Sequence, residues 1–275
     1  MDTYTDVSIQ LSRILTTRYS TSFGLSTRLF PRNLRRAIYA VYGFVRVADE
    51  IVDTFDTLAR QELLDAFEEE TYVAMKRGVS TNPIIHAFIV TANEFDIDKT
   101  LIHPFFESMR MDLEPATYTR ESYQRYIYGS AEVVGLMCLK VFVRGDASRY
   151  DELREGASAL GAAYQKVNFL RDMKDDFESR GRVYFPEVDY KTFNDSRKKT
   201  IVEDIEHDFA MAKEAIKRLP RDVRPAVMTS YRYYMALLDR LRAASAQDIQ
   251  KRRLRVPDAY KLWLFTSAYI MRGIA

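Results

Sequence analysis

The chain has 275 residues, a formal net charge of +2 and one cysteine, Cys138. Its length suits one large domain, and we expect a single domain over 1–275 with a core large enough to enclose a long cavity. The nearly balanced charge argues against nucleic acid as a partner. A single cysteine excludes an internal disulfide framework and a cysteine-based metal site.

The first half of the chain has the pattern of successive helices. After Pro31, the stretch 32–77 contains no proline and one glycine, Gly43, which predicts one or two long helices. The sequence at 78–83 is rich in turn residues and predicts a break. Short helical patterns then continue to about Leu113.

The second half continues the helical pattern. Gly129 and Gly135 lie inside a predicted long helix, where each costs up to about 1 kcal/mol relative to alanine, so we expect either close helix packing or a bend there. No segment alternates Val, Ile and Thr as a strand would, so the sequence predicts an all-α fold. The predicted helices cover 120–142, 151–177, 196–218, 222–244 and 257–272, with a loop over 181–189.

The sequence also bears on localisation. The N-terminal stretch 1–10 is acidic and polar, which argues against a secretory signal. The longest apolar run near the middle, 133–139, is far shorter than the roughly 20 residues of a membrane span. We therefore expect a cytoplasmic protein that is soluble or peripherally associated with a membrane.

Two aspartate pairs, Asp49/Asp53 and Asp172/Asp176, each have a spacing of four residues within predicted helices. Residues at this spacing share one helix face, and like charges there repel by about 0.2–0.5 kcal/mol. A bound cation would offset that repulsion. Mg2+ binds through one or two carboxylates and completes its shell with water and substrate phosphates. The pairs therefore indicate a diphosphate site.

Other polar side chains extend each pair into a column along its helix. At about 100° per residue, Tyr42 and Arg46 align with the first aspartate pair, whereas Gln165 and Asn168 align with the second. Arg171 lies beside the second column. A solvated helix face would more commonly alternate acids with bases at this spacing. Two matching columns therefore favour a site over a surface.

The segments around these columns carry a family resemblance. The sequences at 19–23, 37–42 and 49–53 resemble the first signature of the squalene/phytoene synthase family. Those at 168–176 and 181–186 resemble the second. The order, separation and total length also match, so the resemblance covers the chain from about Tyr19 to about Trp263.

This resemblance implies an isoprenoid-synthase-type helical bundle around a central apolar cavity. It further implies a Mg2+-dependent prenyltransferase, with Mn2+ as a substitute. The expected reaction joins two geranylgeranyl diphosphates head to head, through a cyclopropylcarbinyl diphosphate, to phytoene in carotenoid biosynthesis. NADPH is expected only for a squalene product. The expected partners are prenyl diphosphates, and the sequence does not predict the oligomeric state.

The resemblance also implies roles for individual residues. Ser20 and Ser22 would lie beside the diphosphate, although both are also ordinary helix-capping residues. Glu132 replaces a small residue usual in the family. The expected metal ligands are Asp49, Asp53, Asp172 and Asp176. The expected catalytic residues are Ser20, Ser22, Phe23, Tyr42, Tyr126 and Tyr184, and the expected substrate-binding residues are Arg46, Ser130, Val134, Gln165, Asn168, Arg171, Arg252 and Arg253.

Several interpretations remain open. The motifs look closest to bacterial phytoene synthases, but squalene or dehydrosqualene synthesis from farnesyl diphosphate is an alternative. The second motif of a terpene cyclase normally has Asn, then Ser or Thr, then Glu at intervals of four residues. This chain has Asp172 and Asp176 at the last two of these positions. A non-catalytic scaffold protein would be favoured by loss of aspartates, and all four are present.

Arg252 and Arg253 would close over the second diphosphate or form a solvated helix end. The stretch 260–265 would close the core or touch a membrane.

Overall fold

The computed structural model describes residues 2–55, 59–113, 118–186 and 188–274, without the side chains of Thr21, Ser22, Ser179, Arg180 and 270–274. Helices dominate these ranges, and no β-strand occurs in them, which confirms the predicted all-α fold. The helices are α1 (Thr3–Tyr19), α2 (Thr21–Thr27), α3 (Arg32–Asp53), α4 (Arg60–Arg77), α5 (Pro83–Phe95), α6 (Lys99–Met111), α7 (Arg120–Ile127), a π-helix (Tyr128–Glu132), α8 (Val133–Val143), α9 (Ala147–Arg180), α10 (Asp195–Arg218), α11 (Arg224–Ala243), α12 (Ala246–Lys251) and α13 (Asp258–Ile274).

Helices α3 and α9 carry the two aspartate columns. Helix α3 begins after Pro31 and buries a stripe that includes Leu34, Ile38 and Val41. Helix α9 is 34 residues long; Asp146 caps its N-terminus, and Gly181 ends it with φ 64°. Glycine adopts such a positive φ without the steric cost that a side chain brings. The chain then turns into the predicted loop.

The two glycines inside the predicted helix 120–142 have the close packing that was one of the two expected explanations. The helix is interrupted by the π-helix, in which Gly129 lies. A Cβ on Gly129 would lie 2.1 Å from the Pro104 carbonyl oxygen, and one on Gly135 would lie 2.6 Å from that of Ala157. Both contacts are with backbone atoms. The glycines therefore allow this segment to pack closely on α6 and α9.

One helical stretch, Arg120–Val143, is long and apolar enough to cross a membrane by length and composition. In the fold it lies among other helices, and 56% of its most apolar window is buried. Core helices of soluble bundles have the same properties, because a helix that is apolar on all sides is stable when surrounded by protein. We therefore assign this stretch to the protein core.

Candidate active site

The first column follows the face of α3 that holds Tyr42, Arg46, Asp49 and Asp53. Phe23, from α2, stacks on Tyr42 with ring centroids 5.2 Å apart. Burial raises the pKa of Tyr42 to about 12, so its hydroxyl stays protonated at neutral pH. The side chain of Asp53 is 24% exposed. The column therefore combines a buried aromatic wall with a more accessible acidic end.

Arg46 is fixed by several neighbours. Its guanidinium contacts Glu50 one turn away, lies 3.8 Å from Asp49 and stacks 4.4 Å from the Tyr19 ring centroid. Its Nε is buried without a hydrogen-bond partner among the described residues. Arg46 thus places a fixed guanidinium, with one donor unpartnered among the described residues, beside Asp49.

The two serines near this column differ in what the structure describes. The Ser20 hydroxyl accepts a hydrogen bond from the Phe23 backbone N–H at 3.3 Å and caps α2. The charge of Arg46, and to a smaller extent Ser20, lower the pKa of Tyr42 against the larger effect of burial. The predicted role of Ser22 depends on a side chain that lies outside the described part of the chain.

The second column lies on α9. Arg171 donates to both carboxylate oxygens of Asp172, and Arg253 reaches the same group with Nε 2.7 Å from Oδ1. Asp176 is buried, and Gln165 is partly buried. The Oδ1 atom of Asn168 is buried without a hydrogen-bond partner among the described residues. This amide oxygen is available for a ligand.

A buried arginine joins the first column to the loop after the second. Arg182 donates to Asp53 Oδ1 at 3.1 Å and to the Tyr184 hydroxyl at 3.3 Å. Its other terminal nitrogen contacts the Asp112 carbonyl, and Arg182 Nη1 lies 3.4 Å from Asp112 Oδ1. The ends of α3 and α9 therefore meet around one guanidinium.

Asp112 is the centre of this buried network. It accepts hydrogen bonds from Tyr126 at 2.6 Å and Tyr184 at 3.3 Å. Burial raises its pKa to about 7, although Arg182 and the Tyr126 hydrogen bond oppose the shift. Neither Asp112 nor Arg182 was predicted from the sequence. Arg182 stands in a signature segment that we had noted, whereas nothing in the sequence distinguishes Asp112.

The predicted catalytic residues Tyr126 and Tyr184 lie in a buried aromatic cluster. The Tyr184 ring stacks on Phe169 at a centroid distance of 3.8 Å and an interplanar angle of 5°. Tyr126 lies 5.2 Å from Tyr184. Burial raises the pKa of Tyr126 far above its usual value, so its hydroxyl stays a hydrogen-bond donor. The cluster supplies ring faces and few charges.

The remaining predicted residues divide into two groups. Val134 packs partly buried against the core, and the Ser130 hydroxyl is buried without a partner in the described ranges. Arg252 points away from the columns: its side chain is 71% exposed, and its charged partner is Asp248 at 4.0 Å. Arg253 alone of this basic pair contacts an aspartate column.

A cavity of about 90 Å³ lies beside the columns, between α2, α9, α11 and α13. Ser20 and Phe23 form one wall, and Arg171, Tyr234 and Phe265 form others. A much larger cavity, of about 900 Å³, lies on another face of α9, and none of the four aspartates lines it. Space at the candidate active site is therefore narrow, and its walls combine aromatic rings with hydroxyl and basic side chains.

The four aspartates suit a hard divalent cation, because their donor atoms are carboxylate oxygens. Within the described ranges, no three acidic, histidine or cysteine side chains are grouped to hold a metal ion. Mg2+ commonly needs only one or two protein carboxylates, since water and substrate phosphates fill its other positions. The donor set therefore fits Mg2+ held jointly with a diphosphate.

Comparisons with known proteins identify the family of this chain. The family model for squalene/phytoene synthase matches residues 16–259. Phytoene synthase from Arthrospira platensis is 31% identical, with 93% of this chain and 90% of that protein covered. The 15-cis-phytoene synthase of Synechocystis sp. is also 31% identical, with 95% and 84% covered.

Two solved structures share the fold. A dehydrosqualene synthase with a bound ligand superposes with a TM-score of 0.81, at 21% identity and 98% coverage of both chains. The squalene synthase HpnC from Alicyclobacillus acidocaldarius has a TM-score of 0.77, at 22% identity, with 92% of this chain and 98% of that chain covered. The predicted isoprenoid-synthase-type helical bundle is thereby confirmed. The matched sequence and the shared architecture show that this chain belongs to the squalene/phytoene synthase family and is a prenyltransferase.

Proposed function

We propose that this protein condenses two molecules of geranylgeranyl diphosphate head to head to form phytoene, with Mg2+ as the cofactor. The observation that supports this proposal best is the presence of two aspartate columns flanked by Arg46, Arg171 and Arg253. The curated relatives with the highest coverage carry the name phytoene synthase. The geometry of the site supports a sequence of two ionisations of a diphosphate.

The first requirement is stabilisation of the departing diphosphate. When bound, Mg2+ would neutralise the charge that develops on the phosphate oxygens. Asp49, Asp53, Asp172 and Asp176 would hold it. The guanidinium groups of Arg171 and Arg253, which contact Asp172, would add fixed hydrogen-bond donors toward the same anion. Arg182 would fix the orientation of Asp53.

The second requirement is protection of an allylic cation from water, which would otherwise quench it. Phe23 and Tyr42 offer stacked rings beside the first column, and desolvated ring faces stabilise a cation by about 2 kcal/mol or more. Attack by the double bond of the second substrate forms a new carbon–carbon bond and a new cation, and loss of a proton as the three-membered ring closes gives a cyclopropylcarbinyl diphosphate. Its ionisation, rearrangement and loss of a proton then give phytoene. Tyr126 and Tyr184 would line this later step.

The decisive experiment is product analysis. Purified protein is incubated with geranylgeranyl or farnesyl diphosphate and Mg2+, with and without NADPH. Phytoene from the longer substrate, independent of NADPH, supports the proposal. Dehydrosqualene from farnesyl diphosphate, or squalene with NADPH, would reassign the substrate within the family. Absence of any hydrocarbon product from either substrate would contradict the proposed reaction.

A further inference from the structure

The large cavity, of about 900 Å³, lies between α7, the π-helix, α9 and α10. Such a volume is within the range of small-molecule sites, about 300–1,000 Å³. On α9 its lining includes Ser158, Ala162 and Lys166. Gln165 and Asp172, about 100° and 120° around the helix from Lys166, belong to the active-site column instead. The cavity is thus separate from the candidate active site.

An unbalanced cluster of charges lies in this cavity. The buried Lys166 ammonium is 2.6 Å from Asp204 Oδ2 and 2.7 Å from Asp208 Oδ2. Glu132, partly buried in the π-helix, adds a third carboxylate to the lining. Burial, followed by the charge of Asp208, raises the pKa of Glu132. Asp204 is 57% exposed, so in the interior two carboxylates, Asp208 and Glu132, face one ammonium.

A hydroxyl group in the same wall lacks a partner. The Tyr123 hydroxyl is shielded from solvent and forms no hydrogen bond with the described residues. Asp204 and Asp208 lie close enough to raise its pKa further beyond the effect of burial. A buried polar group without a partner costs about 1–3 kcal/mol, and a ligand that donates a hydrogen bond to the hydroxyl oxygen would offset part of this cost.

The rest of the lining is apolar or lies at the rim. Hydrophobic walls can bind a hydrocarbon body, and the lining includes Ile127, Leu136, Ala159, Ala162, Phe185 and Ile201. Three arginines, Arg120, Arg154 and Arg197, also border the cavity, but each is exposed. Water and salt screen exposed charges much more than buried ones. The interior, with its excess of carboxylates, therefore determines which ligand charge fits.

We propose that this cavity binds a protonated aliphatic amine. Its ammonium would lie between Glu132 and Asp208 and donate a hydrogen bond to the Tyr123 hydroxyl. Its hydrocarbon chain would lie along Ile127 and Leu136. This site is additional to the proposed prenyl diphosphate site and does not depend on the product of the enzyme.

The test is isothermal titration calorimetry with three probes of equal chain length: hexylammonium, hexanol and hexanoate. We expect measurable binding of hexylammonium and much weaker binding of the other two. Glu132→Gln should weaken hexylammonium binding about fivefold or more, the loss of roughly 1 kcal/mol. Glu155→Gln is the matched control, because it removes the same charge from an exposed position on the cavity lining and should bind like the wild type.

A second control locates the binding. The active-site aspartates could also attract an ammonium, so the titration is repeated with Asp49→Asn. Retained binding in Asp49→Asn together with loss in Glu132→Gln supports the cavity. Equal binding of hexanol or stronger binding of hexanoate, loss of binding in Asp49→Asn, or equal affinities in Glu132→Gln and Glu155→Gln would each overturn the proposal. Thermal unfolding of every variant checks that it is folded.

Discussion

Adjacent arginines in this chain have very different environments. Arg253 contacts Asp172 on α9, whereas Arg252 projects from the end of α12 toward solvent. Composition alone could not distinguish them, because both belong to one basic run. The extended backbone at Arg252, with φ −152° and ψ 145°, turns successive side chains in different directions. One residue of the predicted pair therefore reaches the site.

This difference predicts unequal kinetic effects. Arg253→Gln should raise the KM for the prenyl diphosphate about tenfold, because a charge-assisted contact of about 1.4 kcal/mol is lost. Arg252→Gln is its matched control and should leave KM unchanged. Steady-state kinetics at constant Mg2+ measure both. Equal KM values in the two variants would exclude a specific role for Arg253.

The aspartate columns give a sharper prediction. Asp49→Asn and Asp172→Asn should each stay folded, because asparagine is nearly isosteric and its amide oxygen can still accept a hydrogen bond from the neighbouring arginine. Turnover should fall about 100-fold or more, since diphosphate departure loses electrostatic stabilisation. Asp175→Asn, exposed on the same helix as Asp172, should retain activity. Wild-type rates in both column variants would rule out a diphosphate site here.

Asp112 shows what sequence spacing could not predict. Each column was visible because its members share one helix, but Asp112 contacts Tyr184, 72 residues away in sequence, and Tyr126, 14 residues away. Contacts between separate elements depend on tertiary packing. No local sequence pattern indicates such contacts. The same holds for Arg182 and Asp53, which are 129 residues apart.

The buried Asp112 carboxyl predicts a pH dependence of stability. Its pKa of about 7 in the folded protein exceeds the value of about 4 expected for an unfolded chain. Between these values the unfolded chain releases a proton that the folded protein retains. This group's contribution to the free energy of unfolding should therefore decrease as pH rises from about 4 to 7.

Asp112→Asn should lack this contribution. Urea unfolding of wild type and variant at pH 5 and pH 7.5 measures it, with the exposed Asp151→Asn as control. The stability advantage of the wild type over Asp112→Asn should be larger at pH 5. An advantage that is constant, or that grows with pH, would contradict a raised pKa for Asp112.

At the scale of elements, proline and glycine made most helices predictable. Pro31 and Gly181 bound α3 and α9 as the sequence indicated. The sequence did not predict the π-helix, because glycines inside a helical pattern indicate close packing and a bend equally well. Close packing is what the structure shows, because a Cβ on Gly161 would also lie 2.4 Å from the Ala131 carbonyl oxygen. Short helices such as α12 were missed because six residues carry little periodicity.

This close packing predicts the effect of adding one methyl group. Gly135→Ala would press against the Ala157 carbonyl of α9 and should lower the free energy of unfolding by about 1–3 kcal/mol. Gly24→Ala meets its nearest neighbour at 3.5 Å and should have little effect or stabilise slightly. Thermal and urea unfolding compare the two. Similar stabilities would mean that α8 and α9 can separate easily.

At the scale of the whole molecule, α13 leaves an apolar surface. Leu262 is 58% exposed and Trp263 is 57% exposed, whereas the next residue, Leu264, is buried. The helix therefore closes the core with one face and presents aromatic residues with another. The sequence allowed either role for this stretch; the buried Leu264 closes the core, whereas membrane contact through Leu262 and Trp263 stays a prediction.

This exposed face bears on how the product leaves. A hydrocarbon product has no polar group, and its transfer to water costs about 0.8 kcal/mol per CH2. We therefore predict that the protein unloads at a membrane surface and contacts it through α13. Wild type should co-sediment with anionic vesicles, and the fluorescence of Trp263, the only tryptophan, should shift to shorter wavelength.

The matched variants distinguish this face from general adhesion. Replacing Leu262 and Trp263 by serine should weaken vesicle binding and make product output dependent on added detergent. Replacing Val7 and Ile14, which are exposed on α1, tests whether any exposed apolar pair has the same effect and should change neither measurement. If the α13 variant binds vesicles as the wild type does, or if output never responds to lipid or detergent, release proceeds without this surface. Retained turnover in detergent would show that the α13 substitutions affect release, because the aspartate columns on α3 and α9 remain intact.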